Sequence, residues 1–340
     1  MKKIRWGILS AANIAYDQLL PALRRSDRAE AAAIASKSEG RAERFNIPTI
    51  YKEYEQLLDD PAIEAVYIPL PNALHAEWAI KAAKKGKHIL LEKPAALSAA
   101  EMEDIQNAVQ ENNVIFLEAF MYQFHKQHQR VRELLESGYI GEYQHVKAHF
   151  SWMLEDPNDI RLKPELGGGA MRDVGCYGIH AMSQVIGLKP TKVTMAGKIH
   201  PEYNVDTLST CIFTDEKGRT AEVTASVELP FINRYEVIGP KGTILVESSF
   251  RPDVSPDGFG KVIVKDHNNQ TVLYEAYEDD QYLNQIEHLH DCIINGQQPH
   301  YSVKDSLQVM HYIEKGYQSL YNSSVTQDLT YERSTVQVER

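Results

Sequence analysis

Cysteine is scarce in this chain and forms no recognisable pattern. The three cysteines, Cys176, Cys211 and Cys292, are far apart and odd in number. This spacing excludes a disulfide framework and a Cys-x-x-Cys metal site. Such cysteine usage fits a reducing compartment.

Long hydrophobic runs are also missing. No stretch reaches the roughly eighteen apolar residues that a membrane-spanning helix needs. The first residues, Met1–Trp6, have too short an apolar run for a signal peptide and enter a strand at once. We therefore expect a cytoplasmic protein with no membrane partner.

Basic residues are fewer than acidic ones: the chain has 36 lysines and arginines and 47 aspartates and glutamates, which gives a net charge of -11. This excess of negative charge argues against DNA, RNA or an anionic membrane as the main partner. The apolar share of 43% is typical of a soluble globular protein. A length of 340 residues allows roughly two domains.

Strands alternate with helices through residues 1–122. Apolar runs predict buried strands at Ile4–Leu9, Ala29–Ala35, Ile63–Leu70, Ile89–Leu91 and Val114–Leu117. Helices are predicted after the first strand, at Asn72–Lys85, and from a Ser98/Glu101 capping box to about Asn112. This alternation predicts an α/β fold whose first domain is a doubly wound, parallel nucleotide-binding sheet.

Strands and helices no longer alternate in residues 123–340, which we predict to form an α+β domain. Its predicted helices are Gln127–Glu136, Val174–Ile186, Tyr282–Ile294 and Ser302–Tyr321. From Thr191 to Tyr277 strands follow one another without helices, so the sheet should be large and mostly antiparallel. An open sheet face needs a cover, and a second copy of the same sheet is a common one. We therefore expect a homodimer or homotetramer.

The turn after the first strand lies where a dinucleotide fold keeps its phosphate loop. That pattern asks for glycines at positions 10 and 12, where Ser10 and Ala12 stand, with Asn13 and Ile14 following. Small residues still permit close approach of the backbone to a pyrophosphate at a helix N-terminus. As a bare motif this signal is weak, and its position after a buried strand carries the prediction.

The end of the second strand indicates which dinucleotide binds. An NAD enzyme would usually place an acid here, but this chain has Ser36-Lys37-Ser38 followed by Arg41. A hydroxyl and cations suit the 2′-phosphate of NADP, so we predict NADP, with NAD as the other possibility. An exposed polar turn is the alternative interpretation.

The stretch Leu91-Glu92-Lys93-Pro94 ends the predicted fifth strand. Ligands of open α/β sheets bind beyond the carboxyl ends of the strands, so Lys93 should face a crevice. Pro94 should rigidify the strand exit, and a cis Lys93–Pro94 bond is one way to do so. Glu92 either binds a cofactor hydroxyl or pairs with a neighbouring cation. An incidental surface pair is the alternative for the whole turn.

A glycine run, Gly167–Gly169, leads into a helix on which spacings of four and three place Asp173, Tyr177 and His180 on one face. A tyrosine beside a lysine ammonium should have a lowered pKa and exchange a proton with an alcohol or carbonyl oxygen. Alternatively, Asp173 is only a helix N-cap and Tyr177 a core aromatic residue.

Two histidine groups raise the question of a metal. His125 and His128 share a helix face, and His288, His290 and Asp291 cluster in sequence. Neither group has further ligands at recognisable spacing, so we predict no metal site.

At these residues the sequence resembles the glucose–fructose oxidoreductase/inositol dehydrogenase (Gfo/Idh/MocA) superfamily. Glu92-Lys93-Pro94 is similar to its signature, and the segment from Leu70 through Pro71, Asn72 and His75 is similar to its cofactor-side loop. Two further segments, Glu118–Tyr122 and the glycine run with its helix, are similar to the branch of dimeric dihydrodiol dehydrogenases and D-xylose 1-dehydrogenases.

The resemblance implies a Rossmann domain, a second domain with an open sheet, and an active site between them. It also implies that Lys93 and Tyr177 are catalytic and that Asp173 lies at the substrate site. The implied reaction is hydride transfer between NAD(P) and a hydroxyl or carbonyl of a sugar or cyclic diol. A protein of another class, which senses NADP(H) or sugar without catalysis, is the alternative function.

Overall fold

A computed structural model describes residues 3–38 and 40–329. The first sheet has six strands in the order β3-β2-β1-β4-β5-β6, and every pairing between them is parallel. The strands are β1 (Ile4–Leu9), β2 (Ala29–Ala35), β3 (Thr49–Tyr51), β4 (Ala65–Ile68), β5 (His88–Leu91) and β6 (Phe116–Glu118). This is the strand order of a doubly wound dinucleotide-binding fold, which confirms the predicted α/β class.

The helices between these strands are α1 (Leu20–Arg25), α2 (Tyr54–Asp59), α3 (His75–Lys84) and α4 (Ala99–Glu111). A π-helical turn, Ala15–Leu19, precedes α1. The predicted cap of α4 is confirmed, because the Ser98 hydroxyl accepts a hydrogen bond from the Glu101 N–H. The Glu101 carboxylate, however, accepts from the backbone of Leu97 rather than from Ser98.

The second sheet has nine strands in the order β14-β13-β12-β11-β7-β10-β9-β8-β15. They are β7 (His145–Met153), β8 (Pro190–Ile199), β9 (Asp206–Asp215), β10 (Thr220–Ser226), β11 (Glu228–Gly239), β12 (Gly242–Glu247), β13 (Gly260–Asp266), β14 (Thr271–Tyr277) and β15 (Gln327–Asp328). The pair β7–β10 is parallel and the other recorded pairs are antiparallel. The predicted mostly antiparallel sheet is therefore confirmed.

The remaining helices are α5 (Lys126–Glu136), α6 (Cys176–His180), α7 (Gln281–Asn295) and α8 (Val303–Tyr321). Two π-helical turns, Met171–Gly175 and Ala181–Val185, continue α6 in both directions. Short 3-10 turns lie at Glu43–Phe45, Asn72–Leu74, Met121–Phe124, Ile160–Leu162, Pro164–Leu166 and Pro252–Val254. No helix in the described part of the chain is long and apolar enough to cross a membrane.

Helix α7 belongs to the second domain in sequence but packs against the first. The Trp6 indole in β1 donates a hydrogen bond to His290 Nε2 over 3.0 Å. Arg28, just before β2, binds Glu287 through Nε (2.6 Å) and Asp291 through Nη1 (2.6 Å). The two domains are thus tied together away from the cleft, while the division at residues 122 and 123 remains a prediction.

Candidate active site

A cleft of about 980 Å³ lies between the two domains. One wall is built from the chain that follows β1, β2, β4 and β5, at the carboxyl ends of the parallel strands. The other wall comes from β7, from the irregular segment after it, and from the helix that contains α6. This is the location in which an open α/β sheet binds its ligands.

The loop after β1 lines the cleft with Ser10, Ala12, Asn13 and Ile14, and their contact with a dinucleotide stays a prediction. Ser10 has a φ of +117°, a conformation that favours glycine. A serine therefore occupies the backbone conformation of the glycine that the dinucleotide pattern asks for. Strained backbone of this kind is typical of functional sites.

The turn after β2 places Ser36, Ser38 and Arg41 at the cleft. The Ser36 hydroxyl donates to the Ser38 carbonyl over 3.1 Å and accepts from the Ser38 N–H over 3.2 Å, which fixes a tight polar turn. The Lys37 ammonium lies 5.2 Å from the ring centroid of Tyr54, which lines the cleft, and 3.7 Å from a Glu53 oxygen. Lys37 itself is not among the residues that line the cleft, in contrast to our expectation.

The loop after β4 contributes Pro71 and Asn72 to the cleft. The Asn72 side chain donates to the Gly167 carbonyl over 3.0 Å and so bridges the two walls. His75 does not line the cleft, which corrects the expected cofactor-side role. Its ring is fully buried, with Nε2 2.7 Å from the Leu70 carbonyl and Nδ1 2.8 Å from the Pro94 carbonyl. Burial lowers the pKa of His75 to about 4.

Glu92 follows β5 and lines the cleft. The Tyr67 hydroxyl donates a hydrogen bond to Glu92 Oε1 over 2.5 Å. Burial raises the pKa of the Glu92 carboxyl, although the Tyr67 hydrogen bond and the charge of Lys93 oppose that effect. The Glu92 carboxyl is thus held at the cleft by Tyr67, and the Lys93–Pro94 bond that follows is cis.

Lys93 and Asp173 meet across the cleft. The Lys93 ammonium donates to the Asp173 carbonyl over 2.6 Å and to Asp173 Oδ1 over 3.3 Å. Each side chain is 13% exposed. Burial alone would lower the pKa of Lys93, but the nearby acidic groups, of which Asp173 contributes most, together outweigh that effect and the net shift is upward. Lys93 is therefore held as a cation.

Tyr177 lies on the same helix as Asp173 and lines the same cleft. The Lys93 ammonium lies 4.9 Å from the centroid of the Tyr177 ring, and the hydroxyl lies 3.8 Å from the sulfur of Met121. The expected lowering of its pKa is wrong for this arrangement, because burial, followed by the charge of Glu92, raises the pKa well above its usual value.

His180 shares the sequence spacing but not the cleft. It is fully buried, its ring centroid lies 4.3 Å from that of Phe120, and its Nδ1 lies 2.6 Å from the Tyr122 hydroxyl. His128 also lies outside the cleft and is buried between the Tyr235 hydroxyl (2.8 Å) and the Ser249 carbonyl (2.9 Å). Among the described residues, no group of three or more His, Cys, Asp and Glu side chains could hold a metal ion.

Comparison with known proteins places this architecture in a family. An oxidoreductase family with an NAD-binding Rossmann fold matches residues 4–120, and the GFO/IDH/MocA C-terminal domain matches residues 128–245. D-xylose 1-dehydrogenase (NADP(+)) 2 of Haloferax volcanii is 35% identical over 92% of this chain and 96% of its own length. The chain belongs to the GFO/IDH/MocA oxidoreductase family. It is accordingly an NAD(P)-dependent oxidoreductase, as the sequence predicted.

One further relative is named for the predicted branch of the GFO/IDH/MocA family, and one solved structure is similar over nearly the whole chain. Trans-1,2-dihydrobenzene-1,2-diol dehydrogenase of Xenopus tropicalis is 30% identical over 93% of this chain and 98% of its own. A tyrosine-to-phenylalanine variant of a 3-ketoreductase from Actinomadura kijaniata, solved with TDP-benzene and NADP, superposes with a TM-score of 0.88. It is 29% identical, and the match covers 94% of this chain and 98% of that one.

The structure of the present chain shows two arginines at the cleft region that the sequence analysis did not predict. Arg161 binds Asp173 Oδ2 through Nε over 2.8 Å. Arg44 donates to Asn13 Oδ1 (2.9 Å) and to the Ala11 carbonyl (3.2 Å), beside the loop after β1. Both arginines lie in three-residue 3-10 turns, which are too short for a periodic pattern to indicate the direction of a side chain.

Aromatic side chains form the rest of the second wall. Trp152 and Phe150 come from the end of β7, and Phe231 comes from β11 with 54% of its surface exposed. Arg251 and Tyr282 also line the cleft. The second wall thus combines aromatic faces with polar side chains, which suits a ligand that has both apolar faces and hydroxyl groups.

Proposed function

We propose that this protein is an NADP(H)-dependent dehydrogenase or reductase that acts on a hydroxyl or carbonyl group of a sugar or cyclic diol. One observation carries the proposal: the Lys93 ammonium is held by Asp173 against the Tyr177 ring, inside the cleft that the loop after β1 also lines. A fixed cation and a phenol within one cleft are the groups that alcohol–carbonyl interconversion needs.

The residues of the first wall fit a bound NADP(H). Ser10, Ala12, Asn13 and Ile14 offer a loop of small residues and backbone at the start of a helix. Ser36, Ser38 and Arg41 offer hydroxyls and a cation toward a 2′-phosphate. Glu92, Pro71 and Asn72 line the part of the cleft between the 2′-phosphate position and Lys93. The bound nicotinamide supplies or accepts the hydride.

The protein's own residues handle the oxygen and the proton. The Lys93 cation stabilises negative charge on the reacting oxygen. Tyr177 is neutral in the structure because burial raises its pKa, and a neutral phenol donates a proton to that oxygen during carbonyl reduction. Asp173 holds Lys93 in place and accepts a hydrogen bond from a neighbouring substrate hydroxyl.

The substrate class is supported by the second wall and by the names of the relatives. Trp152 and Phe150 offer aromatic faces, while Asp156 and Asn158 offer oxygens and an amide at the same cleft. Relatives are named for activity on D-xylose and on a cyclic diol, and one is a 3-ketoreductase solved with NADP. These names favour a small polyhydroxylated ring or its keto form.

Turnover assays test the proposal. Purified protein is mixed with NADP⁺ or NAD⁺ and a panel of aldoses and cyclic diols, and with NADPH and keto sugars, while nicotinamide absorbance is followed. We expect turnover with a preference for NADP(H). We expect Lys93→Met and Tyr177→Phe to lower kcat by about 100-fold or more, since each removes a group that acts on the reacting oxygen.

Matched controls separate this effect from general damage. Lys189→Met and Tyr139→Phe alter an exposed lysine and an exposed tyrosine away from the cleft and should leave kcat unchanged. Unchanged turnover in Lys93→Met and Tyr177→Phe would contradict the proposed roles. Tight NADPH and sugar binding without any hydride transfer would favour the sensing protein instead.

We also propose that the protein forms a homo-oligomer through the open face of the nine-stranded sheet. The registered pairs define one row of outward side chains that crosses the sheet: Thr194, Ile212, Glu222, Lys147, Glu236, Leu245, Ile263 and Tyr274. Ile212 is 51% exposed and Tyr274 is 59% exposed. A second copy of this mixed apolar and charged face is a suitable cover. The cytoplasmic location remains a prediction, supported by three buried free cysteines.

A further inference from the structure

Residues 159–169 form an irregular segment between β7 and the helix that carries Asp173, and we call it the strap. Two 3-10 turns make up most of it. The Asp159 carboxylate accepts from the Arg161 N–H over 2.8 Å and begins the first turn. The strap then folds back on itself, since the Gly169 N–H donates to the Arg161 carbonyl over 3.0 Å. The backbone of Arg161 is therefore fixed at both ends.

The Arg161 side chain is fixed as well. Its Nη1 donates to both oxygens of Asp159 at 3.1 Å, and its Nε donates to Asp173 Oδ2 at 2.8 Å. The guanidinium carbon lies 5.1 Å from the ring centroid of Trp152. A planar group held by two carboxylates and an aromatic ring has one orientation available to it.

Asp173 therefore divides its carboxylate between two cations. Oδ2 faces Arg161, and Oδ1 faces the Lys93 ammonium at 3.3 Å, while the Asp173 carbonyl accepts from the same ammonium at 2.6 Å. These contacts use two of the three N–H groups of Lys93. Burial would raise the pKa of Asp173, but Arg161 and then Lys93 outweigh it and bring the pKa to about 2.

We infer that Arg161 is a positioning residue for Lys93. By holding Asp173 Oδ2, it prevents the carboxylate from turning both oxygens to the ammonium, and it leaves the third Lys93 N–H for the reacting oxygen. Two cations, Arg161 and Lys93, face two carboxylates, Asp159 and Asp173. Because Arg161 neutralises part of the negative charge, the positive charge of Lys93 still acts on the substrate. This inference rests on the proposed function of Lys93.

Steady-state kinetics test the inference. Arg161→Met should lower kcat by about 10- to 100-fold, the effect of losing one charge-assisted hydrogen bond. The dissociation constant for NADPH and the KM for the substrate should change little. The kcat of Arg161→Lys should lie between those of wild type and Arg161→Met, because lysine keeps the positive charge but lacks the planar guanidinium. Millimolar guanidinium should restore part of the activity of Arg161→Ala, which a general folding defect would not allow.

Arg130→Met is the matched control. Arg130 also bridges two carboxylates, Glu275 at 2.8 Å and Glu133 at 3.2 Å, and it does not line the cleft. Its kcat should equal that of wild type. An Arg161→Met enzyme with wild-type kcat, or one whose loss lies wholly in NADPH affinity and does not respond to guanidinium, would overturn the inference.

A crystal structure of Arg161→Met gives a readout that does not depend on turnover. The Asp173 carboxylate should rotate so that its closest oxygen moves from 3.3 Å to about 2.8 Å from the Lys93 ammonium. An unmoved Asp173 would overturn the inference. A wild-type protein that turns over no substrate, with Asp173 rotated in the variant, would overturn the proposed function and leave the positioning role of Arg161 supported.

Discussion

The buried carboxyl group of Glu118 lies next to the turn that follows Lys93, and its hydrogen bonds join the two domains. Its Oε1 accepts from the Ala95 N–H over 2.8 Å, two residues after Lys93, and its Oε2 accepts from the Tyr301 hydroxyl over 2.9 Å. Burial raises the pKa of Glu118 from an ordinary 4.5 to about 7. The folded protein therefore retains this proton at a pH where the unfolded chain has released it.

The raised pKa makes stability depend on pH. The contribution of Glu118 is fully present below about pH 4.5 and is lost as the pH rises through about 7. Glu118→Gln mimics the protonated form and should not lose this contribution. Relative to wild type, its free energy of unfolding should rise by up to about 3 kcal/mol between pH 5 and pH 8.

Urea unfolding of both proteins at several pH values measures this difference. Glu136→Gln, which changes an exposed acid on α5, serves as the control and should follow the wild-type curve. If Glu118→Gln and wild type keep a constant separation over the whole range, Glu118 does not titrate as its burial requires.

At the residue scale, sequence patterns predicted the groups that regular elements carry. Lys93 follows a strand and Tyr177 follows Asp173 by one helical turn, and the family resemblance implied that they share one site. The contact of Arg161 with Asp173 could not be predicted, because Arg161 lies within the irregular strap, twelve residues before Asp173. The direction of the Tyr177 pKa was wrong because a sequence shows which groups are neighbours but not how deeply they are buried.

The strap is the element on which the second wall depends, and a glycine allows it to fold. A Cβ atom at Gly168 would lie 2.4 Å from the Arg161 carbonyl oxygen and 3.0 Å from that of Lys163. Both neighbours are backbone atoms, so the strap has to move to accept a side chain. The glycine run thus serves the packing of Arg161 against the Asp173 helix.

Gly168→Ala should therefore lower kcat by about tenfold or more, because it displaces Arg161 from Asp173, and should cost roughly 2 kcal/mol of stability. Kinetics and thermal unfolding measure the two effects. Gly138→Ala is the control: it has a φ of +66° and open space around it, so it should lose about 1 kcal/mol without a change in kcat. A Gly168→Ala enzyme with full kcat would show that the position of the strap is not important for turnover.

At the element scale, long periodic segments were predicted closely and short ones were missed. The predicted helix at Ser302–Tyr321 is α8 at Val303–Tyr321. Strand β3 has three residues, too few for a periodic pattern. Helix α2 was also missed, although Glu53 and Gln56 form a capping box that the sequence does display. The parallel β7–β10 pair was not foreseen, because pairing between distant strands depends on the whole sheet.

At the scale of the whole molecule, the open sheet face predicts assembly. Ile212→Arg places a charge in the middle of the proposed interface and should convert a wild-type dimer or tetramer into a monomer, because a buried unpaired charge is costly. Sedimentation velocity measures this change. Ile294→Arg, at a 58% exposed position on α7, should leave the assembly intact. A monomeric wild type, or an Ile212→Arg variant that still assembles, would contradict the interface.

The central claim is that the cleft transfers a hydride with Lys93 and Tyr177 acting on the substrate oxygen. The most direct test uses NADPH deuterated at the nicotinamide carbon that carries the hydride, a panel of keto sugars, and mass spectrometry of the products. The wild type should place deuterium on the new carbinol carbon, while Lys93→Met and Tyr177→Phe bind NADPH normally and transfer the label at least about 100-fold more slowly. NADPH binding without label transfer in the wild type, or equal transfer rates in all three proteins, would contradict the claim.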